Sequence, residues 1–165
     1  MFHSVVGEKK KKMCSLRWSM ALCLMLLFVA GPLLKGGTAT AAAAKEATPA
    51  EVLAVLNASR SARGLSELEW DESLAYCAGV RAEEISVRFS HVRPGGHAWY
   101  TVDPDIQYGE NLMYTTNSRD ASNVFAEWTS SPAHRALFYD AYYRTAAIAK
   151  YESGGTDYWV IEFGY

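Results

Sequence analysis

The stretch RTAAIAKYESGGTDYWVIEF, from Arg144 to Phe163, decides the fold. Its first part, up to Tyr151, alternates in the manner of a β-strand, and its last part, from Tyr158, is rich in aromatic and β-branched residues. The sequence ESGG between them is typical of a turn. The pattern therefore predicts a β-hairpin.

Helix signals precede this hairpin. Thr48 to Glu51 combines a capping threonine, a proline at the first helical position and the glutamate of a capping box, and Gly64 is predicted to end that helix. Asp71 is predicted to cap a second helix, one face of which is lined by Leu74, Ala78, Ala82, Ile85 and Phe89. A third helix is expected over residues 119–129, and Ser131 with Pro132 begins a short fourth one. Helices followed by a hairpin indicate an α+β fold.

Residues 1–41 have the organisation of a secretory signal peptide. A basic run at Lys9 to Lys12 precedes an apolar run from Trp18 to Ala30, and a tract of small residues follows from Thr38. A membrane anchor that stays uncleaved is the alternative, although the apolar run is short for the ~20 residues that a spanning helix needs. We therefore expect a secreted, extracellular protein with a linker over 42–48 and one domain over 49–165.

The charge and cysteine content of the chain after the leader exclude several classes of protein. From Ala42 onward, 17 acidic residues outnumber 10 Lys and Arg. Such a domain is a poor binder of nucleic acid, and its charge alone does not attract it to an anionic membrane. Cys77 is the single cysteine after the leader, so it cannot form an internal disulfide; its place in a helical pattern predicts a buried, apolar role.

Four side chains in the second half of the chain could carry chemistry: His91, Glu110, Glu127 and His134. Two imidazoles and a carboxylate suit zinc, and the same groups suit general acid–base work. The spacing of the histidines matches no local metal motif. Simpler interpretations stay open: His91 could interact with a helix dipole, Glu110 could accept loop N–H bonds, and Glu127 could be a half-exposed surface acid.

The segment from Val92 to Tyr108 contains two prolines and two glycines and is predicted to be a loop. Loops of this length in compact domains are usually functional or disordered. Its aromatic residues indicate that it packs against the domain. His97, between a glycine and an alanine–tryptophan pair, is predicted to lie at the rim of a site.

Five segments of the chain together resemble one protein family. They are NASRSARGLSELEWDESL, FSHVRPGG, GENL, EWTSSPAHRALF and YWVIEFGY. They resemble the CAP superfamily, the SCP-like extracellular domain shared by cysteine-rich secretory proteins, antigen 5 and plant PR-1 proteins, and their spacing is that of bacterial members. The resemblance covers about Ala50 to Tyr165. It implies an α-β-α sandwich in which a small antiparallel sheet lies between helices.

The resemblance also implies a cleft formed by two histidines and two acids, which binds zinc or another divalent ion in several relatives. His91 matches the first histidine, Glu110 the acid of the G-E-N motif, and His134 the second histidine. Ser131 stands where relatives with the full set carry the second acid. Glu127, beside the helix-three tryptophan, is then the candidate catalytic base.

Two functions follow from this cleft. The first is a secreted module in which His91, Glu110 and His134 bind a divalent metal together with a ligand or protein partner. The alternative is a zinc-dependent hydrolase that acts on extracellular peptide or cell-wall material, with metal-bound water as the nucleophile. We expect no nucleic-acid partner, and no membrane association once the leader is removed.

Overall fold

The structure is a computed structural model that describes residues 45–116 and 120–165. The predicted signal peptide over 1–41, and residues 42–44 of the predicted linker, lie outside the described residues. Within the described ranges, the structure contains no helix with the length and apolar character needed to cross a bilayer.

Three helices begin at the capping residues that the sequence predicted, and the third helix along the chain, expected from residue 119, begins at Ala121. Thr48 and Glu51 form a reciprocal capping box, the Asp71 carboxylate accepts from two backbone N–H groups, and the Ser131 hydroxyl accepts from the fourth helix. Gly64 has the positive φ, 73°, of a residue that ends a helix. The helices are α1 (Pro49–Ser61), α2 (Glu72–Val87), α3 (Ala121–Ser130) and α4 (Pro132–Phe138).

The strands form one mixed sheet in the order β1-β3-β4-β2. Their bounds are β1 (Glu69–Trp70), β2 (Gly109–Thr115), β3 (Thr145–Ser153) and β4 (Thr156–Gly164). The predicted hairpin is confirmed as β3 and β4, joined by two glycines with φ of 60° and 75°, which suit a two-residue turn. The prediction that the sheet is antiparallel holds for β2, β3 and β4, whereas β1 pairs with β3 in parallel.

Strand β2 was not predicted. Its first three residues, Gly-Glu-Asn, have low strand propensity. All its residues except Tyr114 are buried, so the alternation that reveals a strand is missing. The first position of β2 requires a glycine, Gly109, because there is no room for a side chain. An added Cβ would lie 2.5 Å from the Tyr143 hydroxyl.

Helices cover both faces of the sheet. On one face α2 packs against β3 and β4; on the other, α1 packs against β3 and α3, and α4 against β2. The α-β-α sandwich implied by the resemblance is confirmed. The α2 face buries Ala78, Ala82, Ile85, Leu112 and Val160, and the opposite core includes Leu56, Met113, Val124, Trp128, Phe138, Ile148 and Ile161. Cys77 is buried and free, as predicted.

Two local predictions need correction. Phe89 does not line the buried face of α2, since the helix ends at Val87 and the Phe89 side chain is 49% exposed. The segment after His91 is not wholly irregular: Val92 bridges to Ala98, and a 3₁₀ helix spans Trp99–Val102.

Candidate functional site

A pocket of about 450 Å³ lies beside β2. Its lining residues come from the segment after α2, from β2, and from α3 and α4: Phe89, Ser90, His91, Leu112, Met113, Tyr114, Glu127 and His134. The rings of Phe89 and Tyr114 meet edge to face with centroids 5.0 Å apart, so they form one aromatic wall. The pocket therefore combines aromatic surface with two imidazoles and an acid.

A buried carboxylate orients the His91 ring. His91 Nδ1 lies 2.7 Å from Glu110 Oε1, and Arg81 Nε donates to Glu110 Oε2 at 2.7 Å. The Glu110 side chain is 1% exposed and the His91 side chain 56% exposed. Because a carboxylate accepts hydrogen bonds, we assign the proton to His91 Nδ1, which leaves Nε2 available to a ligand. The alternatives of a helix-dipole histidine and of a loop-bonded Glu110 do not describe these contacts.

Arg81 is the centre of the charged network behind the pocket. Its guanidinium is fully buried and also donates to Glu84 and to the backbone carbonyl of Ser90, both at 2.7 Å. Burial raises the pKa of Glu84, but hydrogen bonds from Arg93 and Arg81 outweigh it and lower that pKa below its ordinary value. The bond to Ser90 holds the residue next to His91, so the network positions the ring through backbone and side chain together.

His134 reaches the pocket from the first turn of α4. Ser131 caps that turn, and Asn111 of β2 donates from Nδ2 to the His134 carbonyl at 3.1 Å. Burial lowers the pKa of the imidazole below its ordinary value; the Trp128 backbone opposes this shift, and electrostatic interaction with His91 adds to it. Nδ1 is nevertheless buried without a hydrogen bond of standard geometry. The lowered pKa favours the neutral form of the ring.

A second buried acid lies next to Glu110. Glu162 of β4 is the direct cross-strand partner of Glu110, so both side chains project from the same face of the sheet. Glu162 is fully buried, and neither of its carboxyl oxygens makes a standard hydrogen bond. Burial, together with the charge of Glu110, raises its pKa well above 4.5. The raised pKa favours the protonated form of Glu162, whereas Arg81 bonds the carboxylate of Glu110.

The structure brings most of the predicted site residues together. His91, Glu127 and His134 line one pocket, and Glu110 lies behind His91 rather than in the lining. The exposed His97 is not among the residues that line this pocket, in contrast to its predicted place at the rim.

Three residues that position the site were missed: Arg81, Asn111 and Glu162. The sequence carries one signal for the first of them. Arg81 falls on the apolar spacing of α2, between Ala78 and Ile85, where an arginine must be buried and therefore paired.

The donor set does not fit a metal held by His91, Glu110 and His134. Both oxygens of Glu110 are engaged, one by His91 and one by Arg81, and a carboxylate that neutralises a buried guanidinium is a poor cation ligand. Across residues 45–116 and 120–165, no three His, Cys, Asp or Glu side chains are grouped so as to hold a metal ion. Zinc held by these three residues is therefore not part of the proposed function.

Comparison with solved structures finds the same fold in extracellular proteins of bacteria. An outer surface protein from Borrelia burgdorferi has a TM-score of 0.57 at 16% identity, over 68% of this chain and 88% of that one. An extracellular protein containing an SCP domain from Bacillus anthracis has a TM-score of 0.59 at 16% identity, over 70% and 39% of the two chains. A cysteine-rich secretory protein from Staphylococcus aureus has a TM-score of 0.54 at 18% identity, over 69% and 37%.

At these identities the likeness shows the shared fold, and this chain spans less than half of the Bacillus and Staphylococcus proteins. Comparison with curated proteins gives no match. The sequence model of the cysteine-rich secretory protein family, however, matches residues 53–163, from within α1 to the end of β4. With the sandwich fold and the His91 and His134 pocket in place, the chain belongs to the cysteine-rich secretory protein (CAP) family.

Proposed function

We propose that this protein is a secreted binding module that holds a partly apolar ligand in the pocket beside β2. The observation that carries the proposal is the lining of that pocket, where the aromatic wall of Phe89 and Tyr114 adjoins the oriented ring of His91 and the ring of His134. Apolar surface with a few fixed polar groups is the usual composition of a ligand site. The predicted signal peptide and the extracellular proteins that share the fold support secretion.

The residues that line the pocket would contribute to binding in different ways. Phe89 and Tyr114, both about half exposed, offer apolar surface that a ligand would remove from water. His91 offers Nε2 on a ring that Glu110 already holds in place, so little side-chain entropy is lost when the ring binds a ligand. The lowered pKa of His134 favours the neutral ring, which can form a hydrogen bond with a ligand and brings no charge into the pocket.

The hydrolase alternative receives less support from these contacts. A zinc-bound water needs a metal, and the carboxylate predicted to hold that metal is bonded to Arg81 and His91. Glu127, the candidate base, is an exposed residue of the pocket lining, and its catalytic role stays a prediction.

The proposal is tested by titrating the full chain with anilinonaphthalene sulfonate, a fluorescent probe with an aromatic body and an anionic group. We expect the wild-type protein to bind the probe, and Phe89→Ala and Tyr114→Ala each to raise its Kd about tenfold or more, since an aromatic side chain contributes roughly 1.5–3 kcal/mol when it is buried.

Tyr76→Ala is the matched control. Tyr76 is an aromatic residue that is 70% exposed on α2, and it is not among the residues that line the pocket. Loss of binding should therefore be confined to the two pocket variants. Equal affinity of the wild type and both pocket variants would show that the probe does not use this pocket, and the proposed function would fail.

A further inference from the structure

Among the strands of residues 45–116 and 120–165, β2 stands last in the sheet and pairs with β4 alone. Within this part of the chain, its other edge is free. Because a two-residue turn joins β3 to β4, Ser153 and Thr156 form a hydrogen-bonded pair. The N–H and C=O groups of Thr156 therefore point to β3, and those of the next residue, Asp157, point to β2. The same alternation continues along β4. Through the register of Met113 with Trp159, the odd-numbered residues of β2 pair with β4. The N–H and C=O groups of Leu112 and Tyr114 therefore face outward.

These outward groups have no partner in the described part of the chain. Apart from the hydrogen bonds within helices and between paired strands, no backbone group of the described residues bonds to the backbone of Leu112 or Tyr114. No side chain of the described residues bonds to it either. A buried or half-buried strand edge with free donors and acceptors is a template for another strand.

The pocket follows this free edge. Successive residues of a strand point to opposite faces, yet the pocket is lined by three in a row, Leu112, Met113 and Tyr114. Its other lining residues come from both layers as well, since Phe89 and His91 follow α2 on one face and His134 belongs to α4 on the other. A cavity that contacts both faces and three consecutive residues must run past the edge of the sheet.

An extended peptide fits such a groove better than a compact molecule does. A strand laid along β2 would satisfy the free groups of Leu112 and Tyr114 with its own backbone. Its side chains would then alternate between the two layers. One set would meet the wall of Phe89 and Tyr114, and the other would meet Met113, Glu127 and His134.

We propose that the ligand of this pocket is an extended peptide segment, which adds to the free edge of β2 as a further strand of the sheet. The inference rests on the proposed function and names the class of its ligand. Affinity would come from main-chain hydrogen bonds to Leu112 and Tyr114, and selectivity from the side chains that enter the two walls.

The test begins with a phage-displayed library of random linear hexapeptides selected on the full chain. A selected peptide is then synthesised, and its affinity is measured by calorimetry, together with a series of analogues in which each backbone nitrogen in turn is methylated. Because only alternate amides of a strand face its neighbour, we expect a period of two. Methylation should weaken binding at least tenfold at every second position and by less than threefold between them.

A second measurement follows amide hydrogen exchange of the protein. Bound peptide should slow exchange at Leu112 and Tyr114 at least tenfold, while the amide of Ile161, which already faces β2, serves as the internal control. Uniform tolerance of methylation would overturn the strand inference and leave the proposed function standing. Failure to select any hexapeptide would also overturn it, provided that the fluorescent probe still binds.

Other occupants of the edge give different results. A second copy of the chain would protect Leu112 and Tyr114 without peptide and would appear as a dimer in sedimentation, which would overturn the peptide inference. If the probe and the peptides both bind equally to wild type and Tyr114→Ala, the pocket itself is wrong and the proposed function fails with it.

Discussion

At the scale of single residues, the protein keeps two neighbouring acids in different states. Glu110 bonds Arg81 and His91, whereas the directly opposite Glu162 is fully buried and its pKa is raised by burial. Glu110 and Glu162 lie on the same face of the sheet, and Arg81 is the buried cation beside them. Ionisation of both carboxyl groups would place two negative charges next to one positive charge in the core, which costs a large free energy. The protonated acid therefore contributes to stability in a pH-dependent way.

Glu162→Gln tests that assignment. Above about pH 4.5 the unfolded chain releases the Glu162 proton while the folded chain retains it, so the wild type loses stability as pH rises toward the raised pKa. Glutamine mimics the protonated acid and lacks this loss. We therefore expect the difference in the free energy of unfolding, variant minus wild type, to increase with pH. Above pH 4.5 the increase should reach up to about 1.4 kcal/mol per pH unit.

Urea denaturation from pH 4 to pH 8 measures this difference. The exposed residue Glu152, changed to glutamine, is the matched control and should leave the pH dependence close to that of the wild type. Parallel curves for the wild type and Glu162→Gln would mean that Glu162 is ionised in the folded protein.

At the scale of secondary structure, α2 and β2 hold the site because their facing residues share one ion network. Arg81 of α2 bonds Glu110 of β2, and the same guanidinium holds the Ser90 carbonyl just before His91. On the other face Asn111 of β2 holds α4 through the His134 carbonyl. Two successive residues of one strand thus place the two histidines from opposite faces.

Arg81→Ala should be strongly destabilising, because it leaves Glu110 buried and without its cation. Removal of one partner from a buried pair costs about 3–5 kcal/mol. Arg88→Ala, at the exposed end of the same helix, should change the free energy of unfolding by less than about 0.5 kcal/mol. Chemical denaturation of both variants at pH 7 provides the comparison. A similar small effect of both substitutions would contradict the central role of Arg81.

At the largest scale, two cores on opposite faces of one sheet form a compact unit from the residues after Thr40 that the structure describes. The sheet supplies residues to both cores, Leu112 and Val160 to one and Met113 and Ile161 to the other. Neither helical layer can therefore separate without exposing apolar residues of β2 and β4, so we expect cooperative unfolding.

A chain that begins at Ala42, the start of the predicted linker, should fold by itself. About 124 residues should unfold in one thermal transition with an enthalpy of roughly 80–90 kcal/mol near 60 °C. Scanning calorimetry checks this, because the calorimetric and van't Hoff enthalpies must agree for a two-state domain. Two resolved transitions would contradict a single cooperative unit, and the absence of a transition would show that folding needs residues 1–41.

Much of the fold could be predicted because its signals are local. Thr48, Asp71 and Ser131 cap their helices by bonds to residues two or three positions away, and the hairpin follows from alternation and two glycines. The residues His91, Glu110 and His134 were identified through motifs in a fixed order. Strand β2 was missed because burial on both faces removes the periodicity that marks a strand.

The sequence by itself determined the helices, the hairpin, the family and the histidines that line the pocket, since each depends on spacing or motif. Only the tertiary structure decided that Glu110 is bonded to Arg81 and lies behind His91, and that the pocket runs along the free edge of β2. The physical reason is distance along the chain. Arg81, Glu110 and Glu162 meet through helix packing and strand register, and no local pattern encodes either.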